Sequence, residues 1–120
     1  MARKKLPPGT DKDPFYLTHS EQAIMEVLWA SSEPLTSHDI NELGEGTPLK
    51  WSDNTIYFNV NSLLNKGLIE VTSVTLCRKQ YSRLFRPTIG KVEYYLKFIQ
   101  HRLSKDEYNQ LKARMEENKP

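Results

Sequence analysis

The sequence predicts a mostly α-helical protein carrying one small β-hairpin, and three observations support that class. Thr18, Thr36 and Ser52 each stand where a hydroxyl caps a helix, ahead of apolar residues at helical spacing. β-Branched residues then crowd into 68–75, and the pattern turns strand-like. Past Pro87 the helical period returns.

Residues 1–16 include three prolines, one glycine and alternating charges, the composition of a flexible basic tail. Thr18-His19-Ser20-Glu21 is a capping box: the threonine oxygen takes an unpaired helix N–H while the glutamate reaches back to the cap. It opens a helix to about Ala30 with Ile24, Val27 and Leu28 as its stripe, and Ser31-Ser32-Glu33-Pro34 ends it. Thr36 with Asp39 starts a short second helix. Leu35 and Ile40 take its staple positions, Ile40 and Leu43 form its inner face, and Gly44 and Gly46 close it. Ser52 caps a third helix, with Trp51 and Ile56 at staple spacing, which runs to about Lys66 and stops at Gly67.

Leu68–Thr75 reads as a strand and Gln80–Arg86 as its partner, ended by Pro87. Leu76-Cys77-Arg78-Lys79 joins them, so the hairpin has a cationic tip. Ile89, Val92, Leu96, Ile99 and Leu103 mark a further helix. Ser104-Lys105-Asp106-Glu107 is another capping box, with Leu103 and Tyr108 as its staple, and a last helix carries Leu111 and Met115.

At 120 residues the chain has room for one compact domain and a short appendage. Its 38% hydrophobic and 27% charged residues suit an ordinary globule. No stretch approaches the roughly 18 unbroken apolar residues of a membrane span. Arg3, Lys4 and Lys5 precede no apolar run, so the start does not read as a signal peptide. The lone cysteine, Cys77, suits a reducing cytoplasm. The net charge of +2 is mild but uneven: 18–67 holds seven acids against two bases, and 68–90 four bases against one acid. On charge alone, ordinary solvated surface and a phosphate-contacting surface are equally open readings. A phosphate-contacting surface would draw on the hairpin and the N-terminal tail.

Three helices and a hairpin, in that order, match a winged helix-turn-helix, whose third helix enters the major groove while the hairpin wing flanks phosphates. Residues 17–87 are the expected DNA-binding domain and 88–120 a C-terminal helical dimerisation segment. The details narrow this. Leu17-Thr18 with Glu21, Ile24-Met25-Glu26-Val27-Leu28-Trp29, Trp51-Ser52 with Thr55-Ile56, and Lys66-Gly67-Leu68-Ile69 together resemble the penicillinase-repressor (BlaI/MecI) family. Phe85-Arg86-Pro87 is compatible with that family's wing, and Leu103-Ser104-Lys105-Asp106-Glu107 looks like the start of its last dimerisation helix. The resemblance implies a transcriptional repressor that grips a palindromic double-stranded DNA operator as a homodimer. It also implies relief of repression by proteolysis, under a membrane-spanning sensor protease.

Turned at about 100° per residue, the third helix places Ile56, Val60, Leu63 and Leu64 inward. Asn54, Phe58, Asn61, Ser62 and Asn65 fall opposite, flanked by Thr55 and Tyr57. Asparagine can bond an adenine edge, and Phe58 can pack on a thymine methyl. Ser52, Thr55 and the helix start would serve phosphates, as would Arg78 and Lys79 in the hairpin. The family places lysine or arginine where this chain has Asn54, Tyr57 and Ser62, a departure that leaves operator sequence and affinity open and bears less on the fold. Val92, Tyr95, Leu96, Ile99, Leu103, Leu111 and Met115 are the expected dimer contact, with Tyr94 and Phe98 adding aromatic area. The C-terminal region is about one helix shorter than the family's, which bears on half-site spacing.

His19, His38, His101 and Cys77 lack metal-ligand spacing, and no nucleophile elbow or phosphate-cradling glycine loop is present. No cofactor, metal, enzyme activity or membrane insertion is expected. A second reading stays open: a winged-helix module that docks a protein through Tyr57 and Phe58 and reads no DNA. A third is a regulator holding a small ligand in a dimer cleft.

Overall fold

The computed structural model describes residues 15–44, 52–77 and 79–118. The elements are α1 (His19–Ala30), α2 (Ser37–Leu43), α3 (Asp53–Asn65), β1 (Ile69–Cys77), β2 (Gln80–Pro87), α4 (Lys91–Arg102) and α5 (Lys105–Glu117). The winged helix-turn-helix order with C-terminal helices is present. The expected roles of Gly46, Trp51 and Arg78, and of the tail over 1–14, lie outside the described residues.

The chain forms two compact units. In the first, Leu17–Gly90, three helices close over the hairpin. The capping boxes of α1 and α2 form as the sequence predicts, each cap oxygen accepting from the N–H three residues on while the acid accepts from the cap N–H. Ile24, Met25, Leu28, Ile40, Ile56, Val60, Leu63, Leu68, Ile69 and Phe85 make the core. Met25 and Glu21 share the buried stripe of α1, whereas Val27 is only half-buried. Leu43 is 60% exposed, so of the two residues expected on the inner face of α2 only Ile40 is buried. Gly44 caps α2 in right-handed geometry at φ −82°.

Gly67 does need its missing side chain. It sits at φ +75°, its N–H bonds the Leu64 carbonyl and the Leu68 N–H bonds that of Leu63. This is a Schellman ending, which turns the chain from α3 into β1 while burying Leu63 and Leu68.

The hairpin is longer than its sequence pattern suggests. Cys77 pairs with Gln80, so Leu76 and Cys77 belong to β1 and only residues 78 and 79 connect the strands. Lys79 takes φ +70° there. Leu35 adds a bridge on the other side of β2: its N–H donates to the Phe85 carbonyl at 2.9 Å and its carbonyl accepts from the Phe85 N–H at 2.8 Å. Trp29 Nε1 donates to the Ile89 carbonyl at 2.9 Å, so Ile89 ends this unit rather than beginning the stripe of α4.

In the second unit, α4 and α5 lie beside Phe15 and Tyr16. Tyr94 is 1% exposed and donates its hydroxyl to the Phe15 carbonyl. Its ring meets those of Phe15, Tyr95 and Phe98. Tyr94 is thus internal, a correction to its expected place on the dimer face. Arg102 stacks over Phe98, 4.3 Å from the ring centre.

Candidate nucleic-acid interface

The candidate surface is built on α3. Ser52 caps it, accepting from the Thr55 N–H at 3.2 Å, and the two hydroxyls lie 2.9 Å apart. Ile56, Val60 and Leu63 anchor the inner face. That leaves the outer face to Asn54, Tyr57 and Phe58, the last two 57% and 71% exposed with rings edge to face at 6.1 Å. Thr55 and Asn61 are half-buried at its margins, and Asn65 is exposed at the far end. Leu64 is half-buried.

Ser62 is a correction. Its hydroxyl donates to Glu21 Oε2 at 2.7 Å, so it turns toward α1 and not outward. Ser62 is half-buried, and its partner on the neighbouring helix, which no helical wheel contains, decides where its hydroxyl bonds. The same carboxylate holds Lys66, whose Nζ is 2.9 Å from both oxygens, and accepts from the Thr18 N–H at 3.0 Å. Glu21 is only 2% exposed. Burial by itself would raise its pKa; the Thr18 N–H, the Lys66 ammonium and the Ser62 hydroxyl outweigh that and hold it below the ordinary value of 4.5. Sequence reading found Glu21 as a cap residue and missed this cluster, since nothing in local periodicity joins residues 45 positions apart.

On the hairpin, Lys79 is exposed at the tip. Arg86 pairs with its cross-strand neighbour Glu70 at 2.6 Å, and Arg83 lies over the Phe85 ring at 5.1 Å. Among the described residues, no three His, Cys, Asp or Glu side chains gather to hold a metal ion, and no helix is long and apolar enough to cross a membrane.

In the second unit, α4 and α5 enclose a groove of about 450 Å³. Val92, Tyr95, Leu96, Ile99, Leu111 and Met115 line it, six of the seven residues expected at the dimer contact. Leu103 does not line it and is half-buried between the two helices in sequence.

A capped helix with an exposed polar and aromatic face, set beside a β-wing, defines a winged helix-turn-helix regulator. The chain belongs to the penicillinase-repressor family, whose model matches residues 17–115, and this is a family of DNA-binding transcriptional repressors. No curated protein matches the sequence.

Proposed function

We propose that the protein is a cytoplasmic repressor that binds a palindromic operator as a homodimer. Residues 17–87 are the DNA-binding domain and 88–120 the dimerisation segment. The α3 helix lies in the major groove, where Asn54 and Asn61 read base edges and Phe58, backed by Tyr57, packs on thymine methyls. Ser52 and Thr55 at the helix start, with Arg78 and Lys79 of the wing, hold phosphates. Ser62 serves from behind, fixing α3 to α1. One observation carries the reading: α3 is open at Asn54, Tyr57 and Phe58, while Ile56, Val60 and Leu63 on its inner face are buried.

The α4–α5 groove supports the dimer, because an apolar groove that large on so small a unit favours a matching apolar partner. Proteolytic relief under a membrane sensor protease rests on family membership alone. Gel shifts with the DNA upstream of its own coding region test the reading: a specific, salt-sensitive shift by a dimer is expected. A protein that shifts no promoter fragment, yet retains a protein partner after nuclease treatment, would instead be a docking module. The exposed Tyr57–Phe58 pair is the observation that favours this second reading.

A further inference from the structure

The wing has an apolar face that its phosphate-holding role does not use. Paired residues of β1 and β2 project to one side of the ribbon, and Thr72 is an extra residue between Val71 and Ser73. Without this bulge, Val74 and Leu76 would face opposite to Ile69 and Val71. With it, Ile69, Val71, Val74 and Leu76 share one face with Pro87, Phe85, Arg83 and Tyr81. At the base this face is core, Ile69 being 2% and Phe85 1% exposed. Toward the tip it opens: Val71 is 42%, Val74 58%, Leu76 62% and Tyr81 77% exposed. Leu76 and Tyr81 stand directly opposite each other, one pair short of the turn. The hairpin's one acid, Glu70, is neutralised by Arg86, which among the described residues leaves Lys79 and Arg83 as exposed cations flanking the apolar pair.

We propose that this Leu76–Tyr81 face enters the DNA minor groove beside the α3 site, as an apolar wedge that unstacks a base step and bends the duplex. The inference rests on the DNA-binding reading above. An apolar tip flanked by cations matches that occupant: the cations meet the phosphates lining the groove, while the leucine and the tyrosine ring replace lost base stacking. Specificity then arises partly at positions that α3 never touches, favouring easily unstacked pyrimidine–purine steps.

The experiment uses the full chain and the upstream DNA fragment. Circularly permuted probes should show the wild-type protein bending the duplex, by roughly 20–90°. A 2-aminopurine placed in steps flanking the footprint should brighten on binding. The Leu76→Ser/Tyr81→Ser variant alters exposed side chains, so its thermal melt should match the wild type. It should bind about ten-fold more weakly or worse, lose the bend, and keep the wild-type salt slope, since no cation is removed. Straight DNA with silent 2-aminopurine in the wild-type complex overturns the wedge and leaves the repressor reading intact. So does a double variant that still bends DNA, or one whose mass by light scattering falls to a monomer, which would make the face a contact between copies. A wild-type protein that binds no DNA overturns both readings. The wild-type bend and fluorescence do not depend on any variant folding.

Discussion

The Lys66 ammonium lies 2.9 Å from both carboxylate oxygens of Glu21, tying the end of α3 to the first turn of α1. Lys66 is 16% exposed and Glu21 2%, so the pair is largely out of water. Together with the Ser62 hydroxyl it fixes the rotation of α3 about its axis, and hence which residues face outward.

Removing the lysine leaves a buried carboxylate without its counter-charge, held only by the Thr18 N–H and the Ser62 hydroxyl. Lys66→Ala should therefore destabilise the protein by about 2–3 kcal/mol, below the range for a fully buried pair because Lys66 retains some water. Urea unfolding measures this. A midpoint within error of the wild type would show that the carboxylate finds another partner.

The same cluster sets an acid limit. Glu21 is held below its ordinary 4.5 in the folded state, so it binds protons more readily when unfolded. Its contribution is present above the unfolded value and is lost as pH falls through the lower folded value. Glu21→Gln should lower stability at pH 7 and flatten the fall in stability below about pH 4.5. Thermal melts from pH 3 to 7 compare the two slopes. Parallel curves would assign the acid transition elsewhere.

Asn54 and Phe58 are exposed, so replacing either by alanine should leave the melting temperature nearly unchanged. Each should nevertheless cost about 1–3 kcal/mol in operator binding. Phe58→Ala should also erase discrimination between thymine and uracil at one operator position, since only the methyl differs. Uracil-substituted probes provide that test.

Lys79 combines an exposed charge with a left-handed backbone at φ +70°. Lys79→Ala should reduce the slope of log affinity against log salt by about 1. Lys79→Gly should lower the slope equally and raise stability by up to about 1 kcal/mol, because glycine adopts that backbone freely. Titrations at four salt concentrations separate charge from strain. An unchanged slope in both variants removes Lys79 from the phosphate contacts.

Val92 is 84% exposed on the rim of the α4–α5 groove. In a symmetric dimer it counts twice, so Val92→Glu should weaken association by about 100-fold or more while the monomer stays folded. Sedimentation across a concentration series reads this directly. A dimer that persists at low micromolar protein would place the interface elsewhere.

Local chemistry was legible in the sequence wherever an element contains its own instructions. The capping boxes at Thr18, Thr36 and Ser104 formed because cap and acid lie within one turn of each other. Gly67 ended α3 because its left-handed geometry is costly for any other residue. The inner face of α3 at Ile56, Val60 and Leu63 followed from helical spacing alone. These interactions span a few residues, so a one-dimensional pattern contains them.

Tertiary structure decided what depends on residues far apart in the chain. Ser62 turned inward because Glu21 waits on α1, and Tyr94 was buried because its hydroxyl reaches Phe15 and its ring meets Tyr95 and Phe98; Leu43 stayed exposed although it follows Ile40 at helical spacing. Thr72 offers no sign in sequence that it is the extra residue, yet it sets which side of the wing Leu76 and Tyr81 occupy. A strand's face flips with a shift of one residue, and only its partner across the sheet determines that register.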